Sequence, residues 1–288
     1  MASAVAAVAL SLVPLSSRHV YVKVAFGATG KAPIVMSQRG SSTRPTHFLS
    51  FRLPNADLHA KVAEAQKMII LREPDAVGCD VEPVKSHLTL FVLSLGNHEA
   101  MQAATKALRS CASFAIDSNL LTPPRVHLEG LGNFGQRVCF VPVAETTGPD
   151  AEDLARVRRL VARVAKVFCK AGLVDEAVVD GADAKGWTPH LTLLKTSKRP
   201  AGKGRGRGGK SGRGHASRPC IRPAMYADLL RLMDFGVHEL HELQLCSMSG
   251  VAEDGYYPVL ESISLDGRQS SSNRGGSEWT VSPCFTTF

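Results

Sequence analysis

Ser86-His87-Leu88-Thr89-Leu90 decides the reading of this chain, because it returns a hundred residues later as Pro189-His190-Leu191-Thr192-Leu193. Side chains of a β-strand alternate between its two faces. In each copy His and Thr therefore share one face, and the flanking leucines take the other. Leucines bury, so the imidazole and the hydroxyl are the groups presented. Each copy lies in an apolar alternating run, from Val84 to Leu95 and from Trp187 to Leu194, which predicts two equivalent strands. Two strands of this kind facing one another would set two imidazoles and two hydroxyls around a common space, the equipment for acid and base chemistry on a phosphodiester.

The other segments supply a framework for those strands. His47 to Leu53 reads as a strand that Pro54 stops, and Asn55 or Asp57 can cap a helix running to Leu71. A helix from His98 to Ser113 follows the first motif. Arg125 to Leu131 and Arg137 to Val143 read as two strands joined through Gly132-Asn133-Phe134-Gly135. Asp150 to Ala171 has the plainest helical stripe, with Leu154, Val157, Val161, Val164 and Phe168 in one row and Gly172 at its end. Beyond the second motif the pattern predicts a helix over Arg222 to Met233 and strands over His241 to Met248 and Tyr256 to Leu265. The order is that of an α+β protein in which a unit roughly repeats, with one motif in each half.

Charge narrows the function classes. The chain of 288 residues has a formal net charge of +8, but eight cations fall between Lys198 and Arg218 with no acid among them. Outside that stretch 26 basic residues balance 26 acidic ones. The body is neutral, and the basic character belongs to a Gly/Arg-rich insertion, residues 198–219, whose composition predicts disorder and either sequence-indifferent attraction to phosphate backbones or a solvated loop with no role. Seven scattered cysteines, odd in number and without a Cys-x-x-Cys pair, predict reduced thiols in an intracellular protein, cytoplasmic or nuclear, rather than a disulfide framework or zinc site. Residues 1–43 carry no acid and have the composition of an organelle transit peptide, unless translation starts at Met36. The tail, 266–288, is rich in Ser and Gly and is expected to be disordered.

The residues also resemble a known family. The paired motifs, together with Arg44 to Ser50, Leu128 to Gly135, Leu245 to Met248 and Asp254-Gly255-Tyr256-Tyr257, are similar to the two-histidine (2H) phosphoesterase superfamily, in particular the branch formed by the central domain of A-kinase anchoring proteins and the bacterial RNA 2',5'-ligase-type proteins. The resemblance covers residues 44 to 265. It implies a bilobal α+β fold, two antiparallel sheets flanked by helices around a central cleft, and metal-independent cleavage of 2',5'-linked oligonucleotides or 2',3'-cyclic phosphate ends, without a cofactor. It implies His87 and His190 as the proton-transfer groups and Thr89 and Thr192 as phosphate ligands. Lys195 would add charge or else is a surface residue at the strand end, and Phe134, Tyr256 and Tyr257 are candidates to stack on a base, with core packing the better reading for at least one of them. A nucleotide-binding module for AMP or CMP without turnover, and an RNA 2',5'-ligase, are the alternative readings. Kinase anchoring is not expected, because Asp266 to Phe288 shows no apolar stripe at helical spacing. His127, His238 and His241 are read as structural.

Overall fold

The computed structural model describes residues 44–116, 122–145, 149–182, 186–198, 220–231 and 233–266. The expected leader (1–43), nearly all of the Gly/Arg insertion and all but the first residue of the tail lie outside the described residues.

Among the described residues nine strands and four helices follow one another as β1 (His47–Arg52), α1 (Ala56–Arg72), β2 (His87–Leu93), α2 (His98–Ile116), β3 (Arg125–Glu129), β4 (Gly132–Phe134), β5 (Val138–Pro142), α3 (Pro149–Lys170), α4 (Glu176–Ala182), β6 (His190–Lys195), β7 (Asp234–Glu239), β8 (Glu242–Ser247) and β9 (Val259–Ser264). The strands are antiparallel throughout and run side by side as β4-β5-β6-β2-β1-β8-β9, with β3 and β7 pairing separately. Two halves are visible within the large sheet. β2-β1-β8-β9 and β4-β5-β6 are each well paired internally, whereas β2 and β6 touch through the single pair Leu88 and Leu191. The two expected antiparallel sheets are these halves, and the two motif strands are their adjoining edges.

Helix α1 begins where Asn55 Oδ1 accepts the Leu58 amide, so Asn55 rather than Asp57 is the cap. Its buried row, Leu58, Val62, Ala65 and Ile69, packs with Leu88, Phe91, Leu191 and Leu193 in the main core. Phe168 of α3 meets Phe91 of β2 edge to face at 5.4 Å. One face of the sheet is thereby closed by helices. The opposite face carries a second, smaller cluster of Phe48, Val92, Cys246 and Tyr256.

Three sequence expectations change. Gly132 to Gly135 is not the link between two strands of one hairpin. Gly130 (φ 77°) breaks the chain after β3, which leaves to pair with β7, and Gly132–Phe134 is itself the strand that pairs with β5 across a turn containing Gln136 at φ 58°. Arg222 to Met233 is not one helix. Two 3-10 turns, Pro223–Met225 and Ala227–Arg231, flank Tyr226, whose φ of −134° ends the first of them while its ring is buried. The helix α4 and the strand β7 are additional to the sequence reading. None of the six described cysteines forms a disulfide. No described helix is long and apolar enough to cross a membrane.

Candidate active site

The pair that joins β2 to β6 consists of the middle residues of the two motifs. Residues directly opposite in an antiparallel pair point to the same face. Leu88 and Leu191, both fully buried, point into the helix-covered core. The residues on either side of them then point to the open face, and antiparallel direction sets His87 toward Thr192 and Thr89 toward His190. All four are half-buried. The repeat extends to the irregularities. The register of β1 against β2 slips so that Leu90 has no partner, and that of β5 against β6 slips so that Leu193 has none. Each bulge directly follows the motif threonine, and such bulges re-aim nearby side chains.

Further bonds hold this junction. Trp187, at the approach to β6, donates its indole Nε1–H to the carbonyl of Thr89 at 2.9 Å. The buried amide of Gln66 on α1 donates to the carbonyls of Val81 (2.6 Å) and Leu193 (2.9 Å), so the bulge beside Thr192 is tied to a helix. Val81 N–H also donates to Leu193 O, and Lys195 N–H to Cys79 O, which covers the edge of β6 that the brief contact with β2 leaves open.

The two imidazoles are held alike. His87 Nδ1 is 2.7 Å from Lys85 O, and His190 Nδ1 is 2.8 Å from Thr188 O. A carbonyl can only accept, so Nδ1 carries the hydrogen in both rings and Nε2 is left with a lone pair and, among the described residues, no partner. Each ring is also walled by aromatics. Phe48 and Tyr257 lie 5.0 and 5.6 Å from His87, and Phe134 and Phe140 lie 5.0 and 5.1 Å from His190. This apolar packing disfavours charge: burial pushes His87 down to about 4 and also lowers His190. The bonds to the two carbonyls act the other way. The charge of Lys195 lowers both rings, and a charged His190 lowers His87, so the three groups share one electrostatic environment.

The structure brings His87, Thr89, His190, Thr192 and Lys195 to one region, with Phe134 and Tyr257 half-buried at its two sides. Of the three stacking candidates, Tyr256 is the one that takes the core-packing reading. Its ring is fully buried, with the Arg52 guanidinium 4.2 Å from its centre, so it packs the wall behind His87 and offers no face to a base. Phe48 and Phe140 carry no sequence signal separating them from core residues, yet each lies against a motif histidine. Phe140 reaches its place because Gly132 lacks a side chain: a Cβ there would lie 2.3 Å from the Phe140 ring, which also stacks on Phe134 at 4.0 Å. Outside the cleft, His127 Nε2 pairs with Asp234 at 3.0 Å, and His238 Nε2 donates to Phe235 O. Among the described residues no group of three His, Cys, Asp or Glu side chains is placed to hold a metal ion.

The sequence model described as the AKAP7 2'5' RNA ligase-like domain matches residues 45–265. The chain belongs to that family. Membership in the AKAP7 2'5' RNA ligase-like family places it among the 2H phosphoesterases, whose general activity is phosphoester chemistry. A human relative, A-kinase anchor protein 7 isoform gamma, is 27% identical over 224 residues. That match takes in 76% of this chain and 57% of the human protein. Among solved structures, TT0787 of Thermus thermophilus is similar at 24% identity and a TM-score of 0.46, over 78% of this chain and 100% of its own. E. coli LigT complexed with 3'-AMP is similar at 15% identity and a TM-score of 0.44, over 76% and 97%.

Proposed function

We propose that residues 44–265 form a metal-independent phosphodiesterase that acts on RNA-type substrates, 2',5'-linked oligonucleotides or 2',3'-cyclic phosphate ends, by two-histidine acid and base catalysis. The observation that carries this reading is the Leu88–Leu191 pair, which sets both histidines and both threonines on one open face. One neutral imidazole takes the proton of the attacking hydroxyl at Nε2, and the other, once protonated, gives a proton to the leaving oxygen. On a 2',5' bond the neighbouring 3'-hydroxyl attacks phosphorus and the 5'-oxygen leaves, giving a cyclic phosphate. On a cyclic phosphate water attacks and a ribose oxygen leaves. The hydroxyls of Thr89 and Thr192 donate to the phosphoryl oxygens, Lys195 adds positive charge, and Phe134 and Tyr257 flank the bases.

The Gly/Arg-rich insertion adds salt-dependent attraction for RNA. Its neighbours on either side are tied to the turn next to Phe134, through Thr196 N–H to Arg137 O and Ile221 N–H to Gln136 O. Deleting 199–218 is therefore expected to weaken RNA binding at low salt while mononucleotide binding stays the same. An intracellular setting, cytoplasmic, nuclear or organellar, belongs to the same proposal.

A second reading, a nucleotide-binding module without turnover, is favoured by the burial of both imidazoles, which disfavours their charge, so that bound phosphate has to raise one of them before it can donate a proton. A panel of 2',5'-, 3',5'- and cyclic-phosphate substrates in EDTA separates the two. Cleavage of 2',5' or cyclic substrates that survives EDTA supports the enzyme; binding with every substrate intact supports the module. Formation of a 2',5' bond from cyclic-phosphate and 5'-hydroxyl ends would instead mark a ligase.

A further inference from the structure

Two cations beside His87 are left unused by the chemistry above. Arg52 of β1 is directly opposite His87 in the register of β1 against β2, so its side chain leaves from the same open face. Its guanidinium lies 4.2 Å from the centre of the Tyr256 ring, and Nη2 bonds Asp254 at 2.6 Å. Lys85, whose carbonyl orients His87, has its Nζ 5.5 Å from the centre of the Tyr257 ring and 2.8 Å from Glu82. The two rings are in contact, with centres 5.3 Å apart.

Both pairs are arranged with the cation inward. The side chains of Arg52 and Lys85 are 21% and 13% exposed, their carboxylate partners 51% and 52%. Among the described residues each cation keeps donors to spare. Arg52 engages one of its three nitrogens in the bond to Asp254, its Nε–H is buried without an acceptor, and Lys85 uses one of three N–H groups on Glu82. Close by, Ser50 Oγ and Tyr256 OH are buried without a well-aligned hydrogen bond, although both lie near Cys246. Cations seated on aromatic rings have lost most of their side-chain freedom before a ligand arrives, which favours binding of an anion.

We infer that Arg52 and Lys85 form a second phosphate subsite on the His87 side of the cleft, taking a phosphate next to the one held between the imidazoles. This rests on the proposed phosphate cleft and extends it: the preferred ligand carries at least two phosphates, and the second is either a terminal phosphomonoester or the next linkage of the chain.

Calorimetry with the full chain tests the subsite. AMP and adenosine 3',5'-bisphosphate report a terminal phosphate; a 2',5'-linked adenylate dimer and trimer with hydroxyl ends, measured in a His190→Ala background to prevent turnover, report a second linkage. In at least one of the two comparisons the ligand with the additional phosphate is expected to bind about tenfold more tightly, the effect of one good charged hydrogen bond. Arg52→Gln and Lys85→Gln are each expected to bring that ratio to within about twofold of one. A ratio near one in both comparisons without these substitutions overturns the inference. So does a ratio that persists in both variants while all ligands weaken together, which would make the two cations latches for the tyrosine wall. If neither AMP nor the bisphosphate binds, the phosphate cleft itself fails and the subsite with it.

Discussion

Replacing Trp187 by Phe tests how the two halves are joined. β2 and β6 share one residue pair, so the indole bond to the Thr89 carbonyl is one of the few direct links between the motifs. Trp187 is 4% exposed and meets Phe51 edge to face at 6.4 Å. Phenylalanine keeps one ring in place but removes the N–H and the outer part of the indole. Loss of the hydrogen bond costs about 1 kcal/mol, and the space left behind about 1 to 2 kcal/mol more. A total of about 2 to 3 kcal/mol lowers the Tm of a domain of this size by about 5 to 10 °C. The carbonyl released belongs to a motif threonine, so kcat should fall by about tenfold or more as the hydroxyls lose alignment. Thermal unfolding followed by circular dichroism, with steady-state kinetics on a 2',5' dinucleotide, measures both. A Tm change under about 2 °C together with an unchanged kcat would refute the claim that Trp187 locks the junction.

Two other outcomes follow from the same geometry. Gly132→Ala forces the Phe140 ring away from its place against Phe134 and His190, at a cost of about 1 to 3 kcal/mol; unchanged Tm and kcat/KM would show that the ring is not wedged there. The depressed imidazoles also tie stability to pH. Between 6.5 and about 4 the unfolded chain binds a proton that folded His87 refuses. Stability is therefore full above pH 6.5 and declines as pH falls toward 4, by up to about 3 kcal/mol from this residue, with His190 acting in the same direction. Urea midpoints at pH 7, 6 and 5 should fall less steeply in His87→Gln, and equal slopes would contradict the assignment.

The site was legible where it depends on strand alternation. His-x-Thr flanked by leucines predicts the half-buried and buried positions over the four motif residues of β2 and β6, and the alternation ends at the bulge after each threonine. The repeat of the motif also foreshadows the matching Nδ1 bonds and bulges, although neither has a local signal. Tertiary partners were not legible. Phe48 and Phe140 read as ordinary apolar strand residues, and only the folded sheet turns them toward the imidazoles. Tyr256 and Tyr257 are adjacent and alike in sequence, yet one is sealed beneath Arg52 and the other lines the cleft. Arg222 to Met233 satisfies a helical pattern but is interrupted at Tyr226, whose hydroxyl accepts from Asn133 on β4. Phe235 and Val237 of β7 alternate over too short a run to be noticed, and the partner strand β3 lies about a hundred residues away.

The central claim is that His87 and His190 act as one catalytic unit on one phosphate. The most direct measurement is kcat on a 2',5' dinucleotide for His87→Ala, His190→Ala and the double variant. Each single change should reduce kcat by at least about a hundredfold, and the double variant should be little worse than the worse single. A single variant that retains near-normal kcat, or two losses that simply multiply, would contradict it.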